Sequence, residues 1–395
     1  MTTDFNNLLH LLSCTIFLKE PEFDRNYNFK NIYKLSKAHQ VQTIIFPTIS
    51  KYKEKLNVNE SLFQVWKKSY LFLLSRSFQR KQYLFSLIKK LDKHNIGYCI
   101  LKGDALANLY SNPDDRISSD IDLLISDKEN VSKVLDFLNE DKFIIKPNLD
   151  DSHQIECYHQ NYGLIEVHTK VCDETAYKVW FENKIKFEEP FMKTSDNNAN
   201  EFYTLSVTDG AIFVTFHFLK HFLSHGCGIR QLLDMLLYLK HYEAEIDWNR
   251  YNSLFDDLRY LKFINLCKQI GNLFFNMNFD VDGKPDQQLC ESVLSDLENS
   301  GVFGKEEEYR HFFTHHFTAK RRVDNKHLKV SYSAKLNRLK GFLRRYNYNI
   351  FTACINYFKR CDNQKNNLGL INKRLNLFED LGIFEKTKKG DTKNV

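Results

Sequence analysis

The run SDIDLLI, Ser119 to Ile125, constrains this chain most. Its length and aliphatic content make it a strand, bounded on the N-terminal side by SNPDDR. Side chains alternate across a strand, so Asp120 and Asp122 share one face while Ile121 and Leu123 point to the other. The aliphatic face belongs on a core. The opposite face then carries two carboxylates side by side, and in a low dielectric they repel strongly. A divalent cation between them relieves that repulsion. Hard oxygen ligands on a rigid strand suit Mg²⁺ or Mn²⁺, which bind through a few carboxylates together with substrate phosphates. For the D-x-D spacing alone, a solvated edge-strand pair is the alternative.

The chain around this strand is mixed. Residues 1 to about 95 read as helix: the segment 59–95 spaces its apolar residues by three and four, with Asn59 as N-cap and Asn95-Ile96-Gly97 as its end. Short strands are predicted at 97–103, 119–125, 142–146, 153–160 and 164–171, and helices at 104–110 and 128–141. Asn161-Tyr162-Gly163 forms a hairpin turn before the last strand. The stretch 186–200 reads as linker, and from about 200 the chain is helical again. The expected fold class is α+β, a small mixed β-sheet flanked by N-terminal and C-terminal helical regions. The expected divisions are 1–95, 96–190, 200–350 and a C-terminal extension, 351–395, ending in a disordered tail. A length of 395 residues and scarce Gly (14) and Pro (6) agree with more than one unit and a largely helical protein. No apolar run reaches membrane-spanning length, and the first residues lack the pattern of a signal peptide. Nine scattered cysteines, none in a CxxC pair, read as cytosolic thiols. The expected location is therefore cytoplasmic.

Two further stretches complete the carboxylate strand. LIEVHTK places one acid, Glu166, on an otherwise apolar strand, as a third carboxylate for the same cation site. ILKGDAL sets a glycine, Gly103, at a strand-to-helix turn, where backbone N–H groups can approach phosphate. In that order, LKGDAL, RISSDIDLLI and LIEVHTK resemble the polymerase-beta-type nucleotidyltransferase superfamily. Within it they resemble the uncharacterised bacterial nucleotidyltransferase family.

That resemblance implies an enzyme that moves an NMP from an NTP to an acceptor hydroxyl or phosphate, such as a sugar-phosphate or peptide, and releases pyrophosphate. It implies a Mg²⁺ or Mn²⁺ pair held by Asp120, Asp122 and Glu166, with Glu166 on the acceptor side. It implies that Gly103 and the turn after it hold the β- and γ-phosphates. One departure from the pattern is Asp104, directly after the glycine, which we expect to cap the following helix. Lys102 and Arg116 flank the turn and the metal strand and could neutralise the triphosphate; the alternative for them is a structural ion pair with Asp104, Asp114 or Asp115. Two alternative functions are a non-catalytic NTP sensor, favoured by Asp104, and an RNA-end nucleotidyltransferase, disfavoured because no RNA-binding motif is seen.

His168 shares the face of Glu166 and could act as an acceptor-side proton partner. HFLKHFLSH spaces His217, His221 and His225 four apart on one helical face, either as a structural stripe or as a contact to phosphate or acceptor. The spacing alone can hold zinc, but no further ligand is evident. Arg230 and Asp234, also four apart, are expected to pair within their helix.

Lys320 to Arg345 holds ten Lys/Arg and one acid, Asp324. Leucines between them make a basic amphipathic arm. It could meet an anionic membrane surface or, as the weaker alternative, nucleic acid; otherwise it docks on the protein through its leucines. A membrane-binding arm predicts sedimentation with anionic vesicles at low salt that falls steeply as salt rises, without a shift of RNA in a gel. Failure to bind either leaves a docked helix.

Overall fold

The structure is a computed structural model describing residues 1–125, 127–146, 154–171, 191–223, 226–257, 260–301, 373–374 and 376–383. The basic arm, His225 and most of the C-terminal extension lie outside the described residues.

Four helices open the chain: α1 (Thr3–Ile16), α2 (Phe29–Ala38), α3 (Gln42–Lys51) and the long α4 (Glu60–Lys93). Asn59 caps α4 as expected, its side chain accepting from Leu62 N. At the other end Asn95 takes a left-handed backbone, with φ 53°, and Ile96 N returns to Leu91 O. That turn delivers the chain into β1 (Tyr98–Ile100), followed by the single-turn helix α5 (Asp104–Ala107).

Next come β2 (Asp120–Ile125), α6 (Lys128–Glu140), β3 (Ile144–Ile145), β4 (Gln154–His159) and β5 (Gly163–His168). Each of the five expected strand stretches contains a strand. They form one mixed sheet in the order β1-β2-β5-β4-β3, in which only β2 and β5 run parallel. The β4–β5 turn closes on Gly163 at φ +82°, and His159 Nδ1 accepts from the N–H groups of Asn161 and Tyr162.

The stretch read as linker corrects the sequence expectation. It contains β6 (Met192–Ser195) and a turn at Asp196, whose carboxylate accepts from Asn198 N and Asn200 N; the hairpin's second strand, β7 (Glu201–Thr204), opens the stretch that was expected to be helical. The hairpin's polar, Asn-rich turn hid two strands too short to show periodicity. It packs along β1, where Thr204 Oγ1 donates to Ile100 O, and so covers that sheet edge. The helices α7 (Val207–Leu223), α8 (Ile229–His241), α9 (Trp248–Asp257), α10 (Leu261–Phe275) and α11 (Gln287–Ser300) follow. No helix among the described residues is long and apolar enough to cross a membrane.

Strand alternation divides the interior. Ile121, Leu123 and Ile125 join Ile165 and Val167 in a cluster with Leu84, Leu87 and Leu91 of α4 and Val134 and Leu138 of α6. Cys99, Leu101 and Leu124 point the other way, into a larger cluster built by the first three helices and by α7 to α11. The N-terminal and C-terminal helices thus share one core, on the sheet face that carries Asp120 and Asp122.

Two polar ties hold the segment between α5 and β2 to the helices. Thr43 Oγ1 donates to Asp115 O, and Tyr70 OH donates to Asp115 Oδ1 at 2.7 Å. Arg116 is buried in a two-pronged ion pair with Asp234 of α8, Nη2–Oδ2 2.7 Å and Nε–Oδ1 3.1 Å, and Tyr110 OH donates to the same carboxylate. Its Nη1 also donates to Gly103 O. Removing one partner of a buried pair strands the other charge. Asp234→Ala is therefore expected to lower unfolding stability by about 3–5 kcal/mol. Urea denaturation measures this, and an unchanged midpoint would show that the tie carries no stability.

Candidate active site

The parallel pairing of β2 with β5 sets Asp122 opposite Glu166, and Leu124 opposite His168. Because both strands alternate in step, Asp120, Asp122, Glu166 and His168 all lie on the face turned toward the larger core. Asp122 is fully buried. Its Oδ1 lies 3.0 Å from Lys102 Nζ and 3.0 Å from His168 Nε2, and His168 Nε2 lies 3.6 Å from Glu166 Oε2. Burial works against the charged carboxylate of Asp122, but the Lys102 cation and the His168 hydrogen bond outweigh it and hold its pKa at about 2. For His168, burial works to lower the pKa, and the hydrogen bond to Asp122 with the neighbouring Glu166 carboxylate outweighs it and raises it.

Asp122, Glu166 and His168 each bring one ligand atom within 4.8 Å of the others; among the described residues they form the one group able to hold a metal ion. The donor set, two carboxylates and one imidazole, suits such an ion. Asp122 Oδ2 is buried with no hydrogen-bond partner among the described residues, an arrangement that costs free energy until a cation or donor reaches it.

The remaining expected residues fall in several places. Asp120 is half-buried and stands outside the three-ligand group; its Oδ1 accepts from Ser118 Oγ and Ser119 Oγ. Gly103 sits at φ +68°, a conformation that a Cβ strains, and a Cβ there would lie 3.4 Å from Ser118 Oγ. The turn therefore lies directly against the entry to β2. Lys102 is on the site, as its ion pair with Asp122 shows.

Arg116 corrects the expectation for it. It does not face the site as an unpaired phosphate ligand but spends its guanidinium on Asp234 and Gly103 O. The expected partners Asp104, Asp114 and Asp115 were close in sequence, whereas the true one arrives from a helix more than a hundred residues on. The Arg230–Asp234 pair is corrected with it: Arg230 Nη1 donates instead to Ile117 O. Asp104 is not a cap. It is the first helical residue after Gly103, which holds the cap position, and its carboxylate stands 3.8 Å from Lys81 Nζ.

His217 and His221 stack edge to face on α7 with centroids 4.7 Å apart. Burial, then the Lys102 cation, pushes His217 well below the ordinary imidazole range, so His217 is neutral and close enough to the site to sense Lys102. Sequence reading missed Lys81 and Arg80 of α4, buried beside the Gly103 turn. Their basic character in an apolar helix stripe was the available signal.

The two opposed pKa shifts have a sign that can be tested on chelated protein. The stabilisation from His168, whose pKa is raised, is complete below about pH 6.5 and is lost as pH rises through the folded value. That from Asp122 is present above about pH 3.9 and is lost only as pH falls toward about 2. Between neutral and alkaline pH, wild-type protein in EDTA should therefore lose stability relative to His168→Gln. Thermal unfolding across that range measures the difference, and parallel curves would remove His168 from the ion-pair network.

A family model described as "Uncharacterised nucleotidyltransferase" matches residues 26–276, well over half of the chain. A comparison with curated proteins returns no match. Two solved structures are similar. The lincosamide antibiotic adenylyltransferase LnuA, bound to lincomycin, shares 16% identity over 40% of this chain and 94% of that one, with a TM-score of 0.29. An antigenic nucleotidyltransferase-like protein from Paracoccidioides brasiliensis shares 20% identity over 41% of this chain and 76% of that one, with a TM-score of 0.30. At those scores neither likeness bears on acceptor or activity. By the family match over its sheet and most of its helices, this chain belongs to the uncharacterised nucleotidyltransferase family and is a nucleotidyltransferase.

Proposed function

We propose that the protein transfers an NMP from an NTP to a hydroxyl or phosphate of an acceptor, with release of pyrophosphate, at the Asp122–Glu166–His168 cluster. The observation that carries this is the Asp122/Glu166 register pair with its orphaned buried oxygen, Asp122 Oδ2. Asp122, Glu166 and His168 would hold a divalent cation, Mg²⁺ or Mn²⁺, with Asp120 adjacent on the same strand face to receive the metal-bearing triphosphate. When bound, the cation would polarise the α-phosphate and offset the charge of the leaving pyrophosphate. Lys102 would move from Asp122 onto a phosphate oxygen, exchanging one anion for another without leaving its charge uncompensated. Gly103 would let the chain pass close to the phosphates. Glu166 would accept the acceptor's proton, and neutral His217 would orient the acceptor or accept a hydrogen bond from it.

Against a non-catalytic sensor stands Lys81, which shares its charge between Asp114 at 3.0 Å and Asp104 at 3.8 Å and so offsets part of the acidic charge beside the turn. The base preference and the acceptor are left to experiment.

Incubation with each α-labelled NTP, Mg²⁺ or Mn²⁺ and cell extract should move label to an acceptor. Asp122→Asn should abolish transfer. In the metal-free state it should also lose about 1–3 kcal/mol of stability, because Lys102 and His168 lose a charged partner; on sequence alone, removal of a repelling carboxylate would instead raise the melting temperature. Glu166→Gln should keep NTP binding and lose transfer. Full transfer in either variant would sink the assignment.

A further inference from the structure

We infer that Arg80 on α4 and Arg230 on α8 grip the β- and γ-phosphates of the NTP from two sides of the Gly103 turn. Both side chains are buried, with 7% and 8% of their surface exposed. The Nε of each has no hydrogen-bond partner among the described residues, and neither forms an ion pair among them. Arg80 makes one long contact, Nη2 to Ser77 Oγ at 3.5 Å, and Arg230 makes one good one, Nη1 to Ile117 O at 2.9 Å. The other buried or partly buried cations nearby are matched: Arg116 by Asp234, Lys81 by Asp114 and Asp104, and Lys102 by Asp122. Two guanidiniums are left over.

Their placement puts them at the turn. Ile117, which Arg230 holds, precedes Ser118, and Ser118 Oγ is the atom that crowds the missing Cβ of Gly103. Arg80 is next in sequence to Lys81, whose ammonium reaches Asp104, the residue after Gly103. The carboxylate of Asp120 acts on both arginines, that of Asp104 on Arg80 and that of Asp234 on Arg230, while the Arg116 cation repels both and Arg76 also repels Arg80.

A buried guanidinium that carboxylates reach only at long range, with its Nε unsatisfied among the described residues, is held at a cost, and it points to an anion that arrives later. The guanidinium fork matches two oxygens of one phosphate, so two arginines suit a di- or triphosphate tail better than a single carboxylate. The anion's identity rests on the nucleotidyl-transfer reading; the unpaired arginines do not.

The test uses full-length protein and inorganic tripolyphosphate, with binding followed by calorimetry and Mn²⁺ binding followed by electron paramagnetic resonance. Arg80→Met and Arg230→Met should each weaken tripolyphosphate binding by about tenfold or more, leave Mn²⁺ binding unchanged, and leave the melting temperature of the unliganded protein equal or higher. Arg80→Lys and Arg230→Lys should recover part of the affinity and serve if a Met variant does not fold. Lowered melting temperatures with unchanged tripolyphosphate affinity would make the arginines structural and overturn the inference, as would failure of the wild type to bind tripolyphosphate. If affinity falls as expected but the wild type transfers no label from any NTP, the phosphate grip stands and the transferase reading falls. If label is transferred and affinity is unchanged in the variants, the reverse holds.

Discussion

The site converges on one oxygen. Asp122 Oδ1 accepts from Lys102 and lies within hydrogen-bonding distance of His168, in a side chain that water does not reach. A carboxylate in that position is stable only while cations surround it, so the elements that carry those cations must be where they are. The β1 end must bring Lys102, and β5 must run parallel to β2 so that Glu166 and His168 fall on the matching face. A one-residue slip between β2 and β5 would turn Glu166 and His168 into the apolar cluster behind the sheet.

The helices serve the same arrangement. α8 supplies Asp234, which pairs with Arg116, whose Nη1 fastens the Gly103 carbonyl. α4 supplies Lys81, which answers the acid after the glycine. α7 brings His217 within range of Lys102, where it is kept neutral. Acids come mainly from the strands and most cations from the helices, and the site lies where the two layers meet. Polar groups without a partner among the described residues at that seam, such as Asp122 Oδ2, are the local violations of good packing expected where a ligand completes the structure.

Much of this was legible in the residues. Period-two alternation in SDIDLLI and LIEVHTK assigned Asp120, Asp122, Glu166 and His168 to strand faces, and the Asn59 cap and Asn95 end located α4. Other features were not legible. The β6–β7 hairpin was hidden by strands of four residues each, with polar residues on their exposed side. Arg116 looked like a phosphate ligand because its true partner, Asp234, lies 118 positions away. A shared face put His168 beside Glu166 but did not reveal its 3.0 Å approach to Asp122.

The sequence by itself determined which side chains share a face, since that follows from backbone geometry repeated every two or four residues. It also determined the family, through three motifs whose order survives without any knowledge of distance. Only the tertiary structure decided which charges neutralise one another. Ion pairing depends on separations of a few ångströms between elements far apart in the chain, and those separations are set by the packing of α4, α7 and α8 against the sheet. That packing made Arg116 a strut, made His168 a candidate metal ligand, and left Arg80 and Arg230 buried with no close ion pair among the described residues.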